Sequence, residues 1–181
     1  SPEKEIVGAF AGFFKDAHQK GCNYLEKYCR VEPAMAEIVI VSNDGFPLDL
    51  NLYQGVKGIV TASATCNTGG VIILVAECRD GIGHENFYQI MISGKTPAEV
   101  LKKIRNNSFN IIDQWQAQAL ASILTEYTVI VVSDKLDKEV IGKAHLKITP
   151  DIDTALNMAY GITGSISPIT VIPEGPRVII K

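Results

Sequence analysis

The chain has 181 residues, a formal net charge of −3 and 46% hydrophobic residues, which fits one ordinary domain able to hide roughly 68–70% of its unfolded surface. A slight acidic excess without a basic stripe gives no general attraction to phosphate backbones, so no nucleic-acid partner is expected. Its longest apolar runs, such as Val71 to Ala76 and Val129 to Val132, are far shorter than the roughly 20 residues of a spanning helix, so no membrane partner is expected either.

The chain opens Ser1-Pro2-Glu3, which fits a fragment or a processed product, and then enters the strand-like Ile6-Val7-Gly8-Ala9-Phe10. Helical spacing of Phe14, Ala17, Gly21, Tyr24, Leu25 and Tyr28 predicts a helix over 13–28 with one packed face, ended by Pro33. Ile38 to Val41 reads as a parallel strand covered on both faces, within a strand over 37–42 that is followed by a helix over 51–65. After the turn Thr68-Gly69-Gly70, a strand over 71–77 completes a β-α-β unit.

Helices are predicted near 84–92 and 97–106, the second opened by a Thr96 cap, Pro97 and Glu99. Asp113 and Gln116 have the spacing of a capping box for a helix reaching Thr125. The remaining elements are a strand over 128–133, a short helix over 135–141, a capped helix over 151–161, and strands over 169–172 and 177–180, the last two read as a hairpin around Pro173 to Pro176. With no repeat or linker, residues 1–181 read as a single α/β domain: a three-layer sandwich with a Rossmann-like, mostly parallel sheet and helices on both faces.

The loop from Ser42 into the helix over 51–65 is the place to look for function. Open α/β sheets bind ligands outside the carboxyl ends of their strands, where neighbouring connections diverge. The helix sets Lys57 three residues after Gln54 and four after Tyr53, so these side chains share one turn. Lysine among Val56, Ile59 and Val60 can snorkel to water; beside an amide and a phenol it also suits a carboxylate, which accepts several hydrogen bonds and favours charged donors. Trp115, the only tryptophan, stands among Gln114, Gln116 and Gln118 at a helix start, where its ring can anchor a core or cover a ligand.

Other motifs are weaker. Gly81-Ile-Gly83-His-Glu-Asn86 resembles a dinucleotide turn but puts Asn86 at the third glycine position. His18, His84 and His145 form no evident metal or triad constellation, and no residue in the chain is nominated as catalytic or as a metal ligand. Cys22, Cys29, Cys66 and Cys78 lack zinc spacing and read as core thiols; with no signal-peptide pattern, the expected compartment is the cytoplasm.

Asp44-Gly-Phe-Pro-Leu-Asp-Leu-Asn-Leu-Tyr-Gln-Gly-Val-Lys-Gly58, Gly69-Gly-Val-Ile-Ile, Ala76-Glu-Cys-Arg-Asp-Gly81 and Asp113-Gln-Trp-Gln-Ala-Gln118 together resemble the carboxyl-terminal domain of the nickel-dependent lactate racemase family. The resemblance runs through nearly the whole chain. It implies a two-domain isomerase that interconverts the stereoisomers of a 2-hydroxy acid through hydride transfer to a nickel-pincer nucleotide. It also implies that Tyr53, Gln54, Lys57 and Trp115 contact the substrate: Lys57 pairs with the carboxylate, Gln54 and Tyr53 orient it, and Trp115 caps the pocket. The family's catalytic histidines, cofactor lysine and nickel ligand belong to an amino-terminal domain for which this chain has no segment. The expected partners are therefore that domain and a small 2-hydroxy acid, with no cofactor in this chain and no turnover by it alone. A nucleotide-binding module using Gly81 and Gly83, and a noncatalytic interaction domain, stand as alternatives.

Overall fold

The computed structural model describes residues 5–106 and 111–181; the opening Ser1-Pro2-Glu3 lies outside them. In chain order the elements are α1 (Phe14–Cys29), β1 (Arg30–Val31), β2 (Ala36–Ser42), α2 (Leu52–Ser63), β3 (Cys66–Val75), α3 (Glu85–Met91), α4 (Pro97–Arg105), α5 (Gln114–Leu124), β4 (Thr128–Val132), α6 (Lys138–Lys143), β5 (Lys147–Thr149), α7 (Ile152–Thr163), β6 (Ile169–Ile172) and β7 (Ile179–Ile180), with a 3-10 turn at Gly175–Arg177 before the last strand.

The main sheet has the order β5-β4-β3-β2-β6 and is parallel at every junction. From β2 to β5 the chain steps outward, and α7 then carries it back to β6 on the far side of β2. Helices cover the two faces unequally. On one, Val39, Val41, Ile72, Leu74, Val129 and Val131 pack with side chains from α2 to α6 in the larger core. On the other, Ile38, Val71, Ile73 and Ile130 meet Ala155 and Ala159 of α7. Continuous apolar strands are what burial on both faces requires.

Several sequence expectations are corrected. Ile6 to Phe10 forms no strand, and Ile6, Val7 and Phe10 are exposed. No residue of α1 is buried, so the expected packed face is absent; Tyr24 instead meets Phe10 and Tyr28 ring to ring. β6 and β7 form no hairpin: β6 pairs with β2, and β7 with β1, both parallel. The Pro-rich turn between them resembles a hairpin turn locally, but long-range parallel pairing decides the partners. The short edge strand β5 had no sequence signal of its own, and β3 begins at Cys66, ahead of the glycine turn. Cys66 and Cys78 are core thiols, whereas Cys22 is exposed and Cys29 half-buried on α1.

The strand order reverses between β2 and β6, where an open α/β sheet would leave a crevice. That crevice is closed by the chain itself. Asn43 and Glu174 form an isolated antiparallel bridge, Arg177 pairs with Asp44 at 2.5 Å, and Gly175 approaches so closely that a Cβ there would stand 2.6 Å from Val41 Cγ2. Tyr53 and Trp115 lie on the other flank of α2, toward α5.

Candidate functional site

The loop after β2 is fixed by side chains that the sequence patterns did not single out. Asn43 is fully buried. Its Nδ2 donates to the carbonyls of Leu48 and Gln54, and its Oδ1 accepts from the Gly58 amide at 3.1 Å. One amide thus clamps the turn of α2 that carries Gln54 and Lys57. Gly58 permits the clamp, since a Cβ there would lie 2.7 Å from Asn43 Oδ1.

The start of α2 is locked from the next loop. Helix starts leave amides without intrahelical partners; here the Leu52 and Tyr53 amides donate to the carbonyls of Gly81 and Ile82, each at 3.0 Å. Gln54 N donates to Asn51 Oδ1, the N-cap, at 3.0 Å. Gly83, at φ +93, accommodates that cap closely: a Cβ would meet Asn51 Cγ at 2.7 Å. Asp49 Oδ2 accepts from the Glu77 amide at 3.1 Å and ties the two loops further together. The glycine turn therefore closes α2, and this packing accounts for the residues that resemble a dinucleotide motif.

Docking of the loops places His84 flat on Tyr53, with ring centroids 4.1 Å apart and an interplanar angle of 11°. The Tyr53 hydroxyl donates to Asp113 Oδ1 at 2.8 Å, and His84 Nδ1 lies 2.7 Å from Asp113 Oδ2. The bond with His84, then that from Tyr53, hold the Asp113 carboxyl below its ordinary value of 3.8. An ionised carboxylate only accepts, so Nδ1 of His84 carries the shared proton. Burial, reinforced by Asp113, pushes the Tyr53 phenol up to about 12.

Asp113 does not act as the expected side-chain cap. It sits at φ 72, ψ 2 and makes no cap hydrogen bond, which frees its carboxylate for Tyr53 and His84. Gln116, expected to complete a capping box, is buried and donates from Nε2 to the Tyr53 carbonyl at 2.7 Å. Left-handed backbone at a non-glycine residue is uncommon and gathers at functional sites; Asp44, Cys78 and Asp113 all have it in the segments around this site.

Of the nominated residues, Tyr53 is buried and Trp115 is 60% exposed; their rings meet edge to face with centroids 6.3 Å apart. Lys57, exposed on the next turn, donates from Nζ to Gln54 Oε1 at 2.6 Å. The structure thus forms two pairs, Tyr53 with Trp115 and Gln54 with Lys57, joined through consecutive residues of α2. The side chains of α2 thus present an ammonium paired with a primary amide one turn from an aromatic pair.

The lactate racemase C-terminal domain family matches residues 31–180. The chain belongs to that family. It is 43% identical over 179 residues to a lactate racemase of Thermoanaerobacterium thermosaccharolyticum, covering 98% of this chain and 42% of the relative. It is 41% identical over 181 residues to a lactate racemase of Lactiplantibacillus plantarum, covering 99% of this chain and 43% of that one. The solved structure of the lactate racemase apoprotein from T. thermosaccharolyticum superposes with a TM-score of 0.93 at 42% identity, over 100% of this chain and 44% of that chain. The chain therefore spans less than half the length of these lactate racemases and corresponds to their C-terminal domain.

Within this lactate racemase C-terminal domain, sequence reasoning missed His84, Asp113 as a side-chain acceptor, Asn43 and the buried role of Gln116. The only local signal for His84 was its position after Gly81-Ile-Gly83. Among the described residues, no group of three or more His, Cys, Asp or Glu is placed to hold a metal ion, and no helix is long and apolar enough to cross a membrane.

Proposed function

We propose that this domain is the substrate-contacting part of an isomerase that interconverts the stereoisomers of a 2-hydroxy acid, lactate or a close analogue. One observation carries the reading: Lys57, held by Gln54, stands one turn from the Tyr53 and Trp115 pair in a chain 41–43% identical to lactate racemases. Lys57 binds the carboxylate as a charged donor. Gln54 spends its Oε1 on the ammonium, which leaves its amide hydrogens to donate to the acid. Trp115 lies over the bound molecule, limits its orientations and excludes water.

The remaining length of the relatives supports an amino-terminal partner domain that carries the chemistry. The family implies nickel in the complete enzyme, as a pincer nucleotide that supplies hydride chemistry when bound. The described residues here provide no ligand cluster that fits it, so the roles assigned to this chain are binding, orientation and exclusion of water.

The test is activity of the complete two-domain protein, loaded with its cofactor. Lys57→Ala is expected to reduce racemisation of a 2-hydroxy acid at least tenfold, by removing a charge-assisted hydrogen bond. Undiminished racemisation would remove Lys57 from the site.

A further inference from the structure

α1 carries its largest apolar side chains in one stripe and buries none of them. Phe14, Leu25 and Tyr28 fall on one side of the helix, with Lys15, Asp16, Gln19, Asn23 and Lys27 on the other. The stripe is open: Phe14 is 68% exposed, Leu25 52% and Tyr28 71%. The chain ahead of the helix does not cover it. That segment folds back along a neighbouring flank, where the Phe10 and Tyr24 rings meet with centroids 5.5 Å apart and the Tyr24 hydroxyl donates to the Val7 carbonyl at 2.8 Å. Single exposed apolar side chains are ordinary, but an amphipathic helix whose stripe has no partner marks an interaction surface.

The stripe continues into the body of the domain. Leu25 and Tyr28, with Leu48, Val178 and Ile179, line a groove of about 770 Å³. Leu48 belongs to the loop between β2 and α2, and its carbonyl is one that Asn43 holds, so the groove lies at the end of the sheet from which α2 starts. The family match begins at residue 31, just after α1, whereas the T. thermosaccharolyticum structure superposes over 100% of this chain. α1 therefore has a counterpart in that relative although it stands outside the stretch matched as the C-terminal domain. More than half of each relative's length lies beyond what this chain covers.

We infer that α1 is a docking arm whose stripe of Phe14, Leu25 and Tyr28 is buried by the amino-terminal domain of the complete protein, an apolar segment of which fills the adjoining groove. The inference rests on the reading of this chain as one part of a two-domain isomerase. The α/β domain proper then comprises residues 31–180, and α1 fastens it to its neighbour. Docking here seats that neighbour beside the start of α2, the helix that carries Gln54 and Lys57. Cys22 lies roughly a quarter-turn round α1 from the stripe, toward the polar flank, and stays reachable. A second copy of this chain is the competing occupant; a surface that a copy covers opens on dilution, whereas a contact within one polypeptide does not.

The experiment is hydroxyl-radical footprinting of the complete two-domain protein, read by mass spectrometry at two concentrations about 100-fold apart. Phe14 and Tyr28 are expected to be labelled at least about 5-fold more slowly than in the unfolded chain, equally at both concentrations, as side chains in the core of an interface. Weaker protection, or protection that disappears on dilution, would overturn the inference. Leu25→Glu places a charge in the stripe and is expected to raise the labelling of Phe14 and Tyr28 at least about threefold, while the fully buried Phe87 stays protected. Unchanged labelling of Phe14 and Tyr28 in that variant would overturn the inference as well; if Phe87 becomes labelled too, the variant has unfolded and the parent footprint decides alone. The footprint needs no turnover, so racemisation by Lys57→Ala tests the underlying reading separately, and either can fail without the other.

Discussion

Tyr53 and Asp113 lie 60 residues apart in the chain, yet the phenol of one donates to the carboxylate of the other at 2.8 Å. The contact joins the first turn of α2 to the residue before α5, and it gives the domain a defined acid response. The folded state holds the Asp113 carboxyl below its ordinary 3.8, so its ionisation adds stability above that pH, and the contribution is lost as pH falls through the depressed folded value. Thermal melts between about pH 6 and about pH 2 should therefore show Asp113→Asn to be less acid-sensitive than the parent protein. Asp151, whose carboxyl Thr154 also holds low, leaves part of the acid response in the variant. Equal acid slopes would contradict the Asp113 assignment.

At high pH the same pair acts in the opposite direction. The Tyr53 phenol is raised from 10.0 to about 12, so the folded state retains a proton that the unfolded chain releases. Its contribution is complete below the unfolded value and disappears as pH rises through the folded one. Ultraviolet titration should show a phenol ionising near 12 that is absent from Tyr53→Phe. The variant should lose less stability than the parent over that same alkaline range.

Asn43 and Gly58 form a size-matched pair. Asn43→Ala orphans the Leu48 and Gln54 carbonyls from its side chain and the Gly58 amide from its acceptor; urea unfolding should show a loss of about 2 kcal/mol. Gly58→Ala should also destabilise, although alanine is the better helix former, because its Cβ would stand 2.7 Å from Asn43 Oδ1. Gly161, in α7, has open space where an alanine methyl would stand, with nothing within 4 Å, and Gly161→Ala should stabilise by up to about 1 kcal/mol. Opposite signs for the two glycines distinguish steric fit from helix propensity.

Thiol reactivity should divide the cysteines by burial. Burial raises Cys66 to about 11 and Cys78 to about 12, while Cys22 is exposed. Brief alkylation of the native protein at neutral pH followed by mass spectrometry should label Cys22 first, with Cys66 and Cys78 modified only after unfolding. Early labelling of Cys78 would show that the loop after β3 opens in the native state.

The parallel core was legible because β2, β3 and β4 are continuous apolar runs, and their alternation with helices implies crossovers. The pairing of Ile179 with Arg30 and of Ile169 with Ile38 was not, since such partners meet only after the whole sheet is assembled. Ile6 to Phe10 has strand composition without a partner, and composition alone does not place a strand. Tyr53, Gln54 and Lys57 were legible for the same reason as the core: helical spacing puts them on neighbouring turns. His84 and Asp113 were hidden because their meeting depends on Gly81 and Ile82 docking against the start of α2, and on Asp113 leaving the ordinary cap conformation.

The most direct measurement is a crystal structure of the complete two-domain protein with a 2-hydroxy acid bound. The expected result is the carboxylate within hydrogen-bonding distance of Lys57 Nζ and the Gln54 amide, the Trp115 ring over the molecule, and the Tyr53 hydroxyl still donating to Asp113. An acid seated away from α2, with Lys57 facing only solvent, would contradict the role proposed for this domain.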